Sequence, residues 1–167
     1  MRFEIRNIEP MGAVRMTTKG KFIKANAQRY LTYKELIYRD VLRQLNGEYN
    51  PVDGAIAVNI VFKMPIPNYW PKYKKETAPG DYCTTKPDID NLVKGLFDAL
   101  NGLLWVDDNR IVMINAKKIY ADNPGIDFEV IQIGGLSHGQ AAQKEETKQR
   151  AKRKAESRAS RDIRKRL

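Results

Sequence analysis

The residues most able to do chemistry in this chain are acidic and lie close together. Asp88 and Asp90 sit in the run Lys86-Pro87-Asp88-Ile89-Asp90-Asn91-Leu92-Val93-Lys94, and Asp107 and Asp108 follow in Trp105-Val106-Asp107-Asp108-Asn109-Arg110. Carboxylates have two ordinary structural uses near a helix start. One is capping of free backbone N–H groups, and the other is an i, i+4 pair, here Asp90 with Lys94. A third acidic site, brought back by the short Asn101–Leu104 connection, fits a different use. Clustered carboxylates are oxygen ligands for hard ions such as Mg²⁺ or Mn²⁺, which can bridge them to a phosphate. Adjacent residues of an extended segment point to opposite sides, so only one of Asp107 and Asp108 is expected to face the cluster, and physics alone does not choose.

Composition narrows the chemistry further. His138 is the sole histidine and Cys83 the sole cysteine, which excludes multi-histidine metal sites and an intramolecular disulfide. Catalysis must lean on carboxylates, Lys, Arg or metal ions. With 30 Lys and Arg against 20 Asp and Glu, the net charge of +10 favours a polyanionic partner. Most of that excess lies in residues 141–167, which hold 11 basic and 4 acidic residues and no Gly, Pro or aromatic side chain. They are expected to form a solvated, partly helical or disordered basic arm, joined by a glycine-containing linker over 134–140 to a body over 1–133. No apolar run reaches the roughly 18 residues of a membrane span, and the first residues do not form a signal-peptide core, so a cytoplasmic protein is expected.

The elements that must position the acidic residues follow from periodicity. Ile89, Leu92, Val93, Leu96, Phe97 and Leu100 recur at helical spacing, predicting a helix over 89–100 with that stripe buried and Asp90, Asn91, Lys94 and Asp98 on the opposite side. Pro87 places Asp88 at the N-cap, from which its side chain can turn toward the first helical turn. A second amphipathic helix is predicted from Ala25 to Leu45, ended by Asn46 and Gly47. Strands are predicted over Arg2–Ile8, Ala55–Met64, Arg110–Tyr120 and Ile126–Ile133. Between the second strand and the acidic helix lies a segment with five of the eight prolines, with Tyr69, Trp70, Tyr73 and Tyr82 interleaved among lysines. It reads as a loop, with a short helix over Trp70–Ala78 capped by Asn68. Cations next to rings suit contact with unstacked bases. The order strand, helix, strand, helix, strand, strand predicts an α+β fold: a mixed or antiparallel sheet with two main helices packed against it.

The segments KPDIDNLVKGLFDALNG and WVDDNRIV, with the order of elements over most of residues 1–133, resemble the RusA-type crossover junction endodeoxyribonucleases, which resolve Holliday junctions and are common in phages and prophages. That resemblance implies catalytic, metal-binding carboxylates at Asp88, Asp90 and Asp108, a required lysine at Lys94, Mg²⁺ with Mn²⁺ as a substitute, and a homodimer nicking two strands symmetrically. Many relatives carry a histidine about where Cys83 stands, and the basic arm lies outside the family pattern. The reading is a Mg²⁺-dependent endonuclease acting on four-way junctions in DNA recombination and repair. Arg15, Lys19, Lys21, Lys86 and the arm would grip the DNA backbone. The alternatives are a metal-dependent nuclease of flaps or forks and a non-catalytic nucleic-acid-binding protein.

Overall fold

The computed structural model describes residues 1–17, 24–46 and 49–134 of the 167-residue chain. The expected linker beyond Gly134, the basic arm with its flanking His138, and Lys19 and Lys21 lie outside the described residues.

Residues Met1–Ile133 form one compact unit. Strand β1 (Arg2–Arg6) stops short of the predicted Ile8 because Asn7 turns into the left-handed region at φ 58°. Helix α1 (Ala25–Gln44) follows, then strand β2 (Ile56–Pro65), the short helix α2 (Lys72–Thr77) and helix α3 (Ile89–Leu100). A single 3-10 turn at Asp108–Arg110 leads into strand β3 (Ile111–Ala121), and β4 (Gly125–Gln132) ends the body. Helix α2 starts later than predicted, with Pro71 and not Asn68 as its N-cap. Proline is already set for the extended-to-helical junction and has no N–H to lose there.

The sheet is mixed, in the order β1-β4-β2-β3, with β2 and β3 parallel and the other neighbours antiparallel. Strands β3 and β4 are consecutive in the chain yet flank β2, so Asp122–Pro124 must pass the end of that strand. Two strand spacings come to roughly 9–10 Å, which four peptide steps can span. Register puts Phe3, Phe128 and Ile60 in one row and Ile5, Ile126 and Phe62 in the next. These side chains are buried in one cluster with Tyr30, Tyr33, Ile37 and Val41 of α1 and Leu92, Leu96 and Leu100 of α3. The opposite face of the sheet is polar, with Arg2 paired to Glu129 at 2.9 Å and Lys63 to Asp127 at 2.6 Å. Leu36 and Leu42 of α1, counted in its apolar stripe, are 51% and 45% exposed, because the burying arc is the narrower one through Tyr30, Tyr33, Ile37 and Val41. Among the described residues no helix is long and apolar enough to cross a membrane.

Candidate active site

Helix α3 has the predicted bounds, with Asp88 as N-cap. Leu92, Leu96, Phe97 and Leu100 are buried as expected, whereas Ile89 is 37% exposed and Val93 only partly covered. Ile89 and Val93 face, across a cleft of about 560 Å³, the likewise partly uncovered Ile114 and Ala116 of edge strand β3. That cleft is lined by Ile89, Asp90, Val93, Lys94 and Phe97 from α3, by Asp108, and by Ile114 and Ala116 from β3.

The turn carrying Asp108 is set by an apolar anchor and an ion pair. Trp105 is completely buried, its ring meeting Phe97 of α3 edge-on with centroids 5.4 Å apart. On either side of it, Val52 donates its N–H to the Leu104 carbonyl at 3.0 Å and Val106 donates to Val52 at 3.1 Å. Arg110, which follows the acidic pair, meets Asp53 at 2.8 Å. Asp107 is extended (φ −155°, ψ 149°) while Asp108 opens the 3-10 turn. The two therefore diverge by a change of backbone conformation and not by strand pleating as expected, and of the pair only Asp108 lines the cleft.

Asp88 differs from expectation. It stands at the N-cap with extended dihedrals, but its side chain makes no capping hydrogen bond and does not line the cleft. Among the described residues, no group of three or more His, Cys, Asp or Glu side chains stands together as a ready metal cage. Like charges approach ligand distances only at an electrostatic cost, and Asp88 and Asp90 lie on either side of the helix start. The ordinary structural uses are also unfilled. Among the described residues no hydrogen bond or ion pair engages the side chains of Asp88, Asp90, Lys94 or Asp108, so the expected Asp90–Lys94 pair is not formed. All four are exposed. The donor set fits a Mg²⁺-like ion, which keeps several waters and takes one or two carboxylates plus substrate phosphate oxygens in place of an all-protein cage. The Asp88 side chain is held by no capping bond.

The remaining expected contacts are dispersed. Arg15 is exposed on the segment between β1 and α1. Lys86, also exposed, borders a second cleft with Cys83, Thr85, Pro87 and Tyr120. Burial pushes the Cys83 thiol up, but hydrogen bonds from Thr85 and Tyr120 and the charge of Lys118 outweigh it, leaving the thiol below its usual value. In the proline-rich segment Trp70 is pinned edge-on to Tyr120 with centroids 5.0 Å apart, and the Lys74 ammonium lies over the Trp70 ring, 3.7 Å from its centroid. Tyr69, Tyr73 and Tyr82 are exposed by more than two thirds.

Sequence reasoning missed the supports of this site. Gly95 lets Met11–Ala13 lie against α3, where Ala13 donates its N–H to the Asn91 carbonyl at 2.9 Å. Asp98 accepts a hydrogen bond from the Tyr30 hydroxyl at 2.9 Å. A signal existed for one more: Lys118 falls on the same alternation as Ala116 and Tyr120, the inward row of β3, where a lysine is out of place.

The sequence profile of the family described as endodeoxyribonuclease RusA matches residues 7–131. An uncharacterized protein YqaN of Bacillus subtilis is 34% identical over 107 residues, covering 60% of this chain and 75% of that protein. A protein named crossover junction endodeoxyribonuclease rusA, from Lactococcus phage r1t, is 29% identical over 76 residues, covering 45% of this chain and 57% of its own length.

Proposed function

The chain belongs to the RusA endodeoxyribonuclease family, and on that premise we propose that it resolves Holliday junctions by Mg²⁺-dependent hydrolysis, with Asp88, Asp90 and Asp108 as ligands and Lys94 serving the reacting phosphate. Membership makes it a crossover junction endodeoxyribonuclease, a hydrolase of phosphodiester bonds in branched DNA. The observation that carries the residue assignment is the cleft shared by Asp90, Lys94 and Asp108, whose charged groups are engaged by no other side chain.

When bound, a divalent ion would lower the pKa of a coordinated water and withdraw charge from the phosphate. The chain's own groups do the rest. Asp90 and Asp108 present oxygens from two elements, fixed by helix packing and by buried Trp105, so a phosphate entering the cleft meets a prearranged negative wall that demands a cation between them. Lys94 presents three donors and no acceptor, so it can hold a water or offset charge on phosphate oxygens but cannot serve as a base while protonated. Ile114, Ala116, Val93 and Phe97 floor the cleft with apolar surface, which strengthens each electrostatic contact above it. Arg15, Lys19, Lys21, Lys86 and the cations of residues 141–167 would track the DNA backbone.

Two opposed strands require two sites, and a homodimer supplies them. Val112, Met113 and Ile114, in succession on edge strand β3, are 62%, 59% and 49% exposed, so both faces of that stretch lack cover from the described residues. The edge itself is closed by Gly80–Cys83 only near Lys118 and Tyr120. Such an edge is a pairing surface. The work of the enzyme would be recombination and repair in the cytoplasm of a bacterial or phage-infected cell.

The test is cleavage of labelled four-way junction and linear duplex, with and without Mg²⁺. Nicks confined to the junction and to Mg²⁺, abolished in Asp90→Asn while junction binding persists or improves, are expected. Near wild-type nicking in Asp88→Asn, Asp90→Asn and Asp108→Asn alike would overturn the site assignment. Preference for flaps or forks would move the substrate, and binding without cleavage would leave a non-catalytic DNA-binding protein.

A further inference from the structure

Asp88 needs a fixed backbone if its free side chain is to reach the cleft reproducibly, yet the segment before it, Cys83–Pro87, belongs to no helix or strand. It is held from β3. Cys83 donates its N–H to the Lys118 carbonyl at 3.0 Å. The Lys118 ammonium donates to the carbonyl of Pro87 at 2.7 Å and also to that of Thr85. The Thr85 hydroxyl meets that of Tyr120 at 3.4 Å.

The Pro87 carbonyl belongs to the peptide unit that contains the N and Cα atoms of Asp88. That unit is planar, so a bond that holds its oxygen restrains where the Asp88 Cα can lie. Lys118 also occupies an expensive place. It pairs with Phe62 in a row of the sheet that continues Ile60 with Ala116 and Met64 with Tyr120, the side that carries the core. No carboxylate pairs with its half-buried charge among the described residues. A lysine there is costly unless its donors are used, and two of its three are spent on carbonyls on either side of Lys86.

We propose that Lys118 is a positioning residue for Asp88, acting through the Pro87 peptide plane and touching neither metal nor phosphate. The proposal rests on the reading of Asp88 as a ligand, and its test separates the two. Mn²⁺ is titrated into the full-length, DNA-free protein by calorimetry for wild type, Lys118→Met, Asp88→Asn and the double variant. Lys118→Met keeps the aliphatic stem and removes the donors; Lys118→Gln replaces it in every arm if the Met variant does not fold. Loss of a group that orients a ligand weakens metal binding by about 10–100-fold. Lys118→Met is expected in that range, Asp88→Asn likewise, and the double variant within about threefold of Asp88→Asn alone, because an effect that travels through Asp88 has nothing left to act on.

Junction binding without metal supplies an independent readout. It is expected to stay within about threefold in Lys118→Met with an unchanged salt slope, whereas a phosphate contact would lower that slope by about 0.9. A weakened Asp88→Asn with an unaffected Lys118→Met overturns the positioning role and leaves the ligand reading standing. Losses that multiply in the double variant, or a reduced salt slope, also overturn the positioning role. An Asp88→Asn variant that binds Mn²⁺ like wild type overturns the ligand reading, and the positioning role with it.

Discussion

Gly95 offers a test in which two opposing effects have known sizes. In an open helix, Gly→Ala stabilises by about 1 kcal/mol. At this position an added Cβ would stand 2.7 Å from the Met11 carbonyl oxygen and 3.4 Å from the Ala13 nitrogen. Restoring ordinary contact with Met11 requires a displacement of roughly 0.5–0.7 Å, enough to stretch the 2.9 Å hydrogen bond from Ala13 to Asn91 out of range. Losing that bond costs about 1 kcal/mol, and overpacking against backbone costs about 1–3 kcal/mol. The contact wins. Gly95→Ala should destabilise by about 1–3 kcal/mol net, lowering the melting temperature by about 3–4 °C per kcal/mol for a body of this size. Asn91 adjoins Asp90, so junction cleavage at saturating Mg²⁺ should fall as well, by up to about 100-fold if the displacement reaches the cleft. Gly102→Ala is the control: its φ of 77° penalises alanine, yet nothing lies within 4 Å of the added atom, so stability falls by about 1–2 kcal/mol with the cleavage rate of the folded protein intact. A Gly95→Ala protein that melts at or above wild type would refute the close approach and with it the argument that Met11–Ala13 buttresses the helix.

Asp108→Asn should cost at least about 100-fold in cleavage, as expected for loss of several kcal/mol of metal-borne stabilisation, and Asp107→Asn only a few-fold; the reverse order in a single-turnover assay would show that the turn presents the other carboxylate. Truncation after Gly139 removes 11 cations and 4 anions, and should flatten the plot of log affinity against log salt by roughly 0.9 per lost phosphate contact while sparing the single-turnover rate; conversion from dimer to monomer with an unchanged slope would assign residues 141–167 to assembly instead. Burial pushes the Tyr33 phenol up to about 12, its hydroxyl lying near the Met11 backbone without a well-aligned hydrogen bond. The folded value lies above the unfolded one, so that stability is fully present below about pH 10 and drains away toward pH 12. Urea titrations across that window should show a steeper alkaline loss in wild type than in Tyr33→Phe.

The legible parts of this chain were those whose signals are local. Pro87, Asp88 and the stripe from Leu92 to Leu100 bounded α3 to the residue, because a proline, a cap and a 3.6-residue period all act within a few positions. The exposure of Ile89 was not legible, since it depends on the open cleft left between the helix and β3, a long-range feature of packing. Nor was the parallel pairing of β2 with β3, which is decided by the passage of Asp122–Pro124 around a strand 60 residues earlier in the chain. At the site, Asp90, Lys94 and Asp108 do share a cleft, but the expectation for Asp88 failed in an instructive way. The N-cap position was right and the capping bond was not formed. Statistics of capping describe where such residues sit, not whether a given carboxylate spends its oxygens there.

That unspent carboxylate bears on how the site is built. On the proposed assignment, three carboxylates brought to one ion would repel one another until it binds, so each must be fixed by something outside the set. Asp90 is fixed by the buried face of its own helix. Asp108 depends on Trp105, packed against Phe97 of that same helix, and on the Arg110–Asp53 pair. Asp88 depends on Lys118, two residues along β3 from the Ala116 that floors the cleft. The inner row of β3 thus runs from cleft floor at Ile114 and Ala116 to backbone clamp at Lys118 and hydroxyl contact at Tyr120. Helix and strand each carry part of the site, and sliding one against the other would move the carboxylates relative to one another. Rigidity between α3 and β3, more than the acidity of any one residue, is therefore what the catalytic geometry requires of this fold.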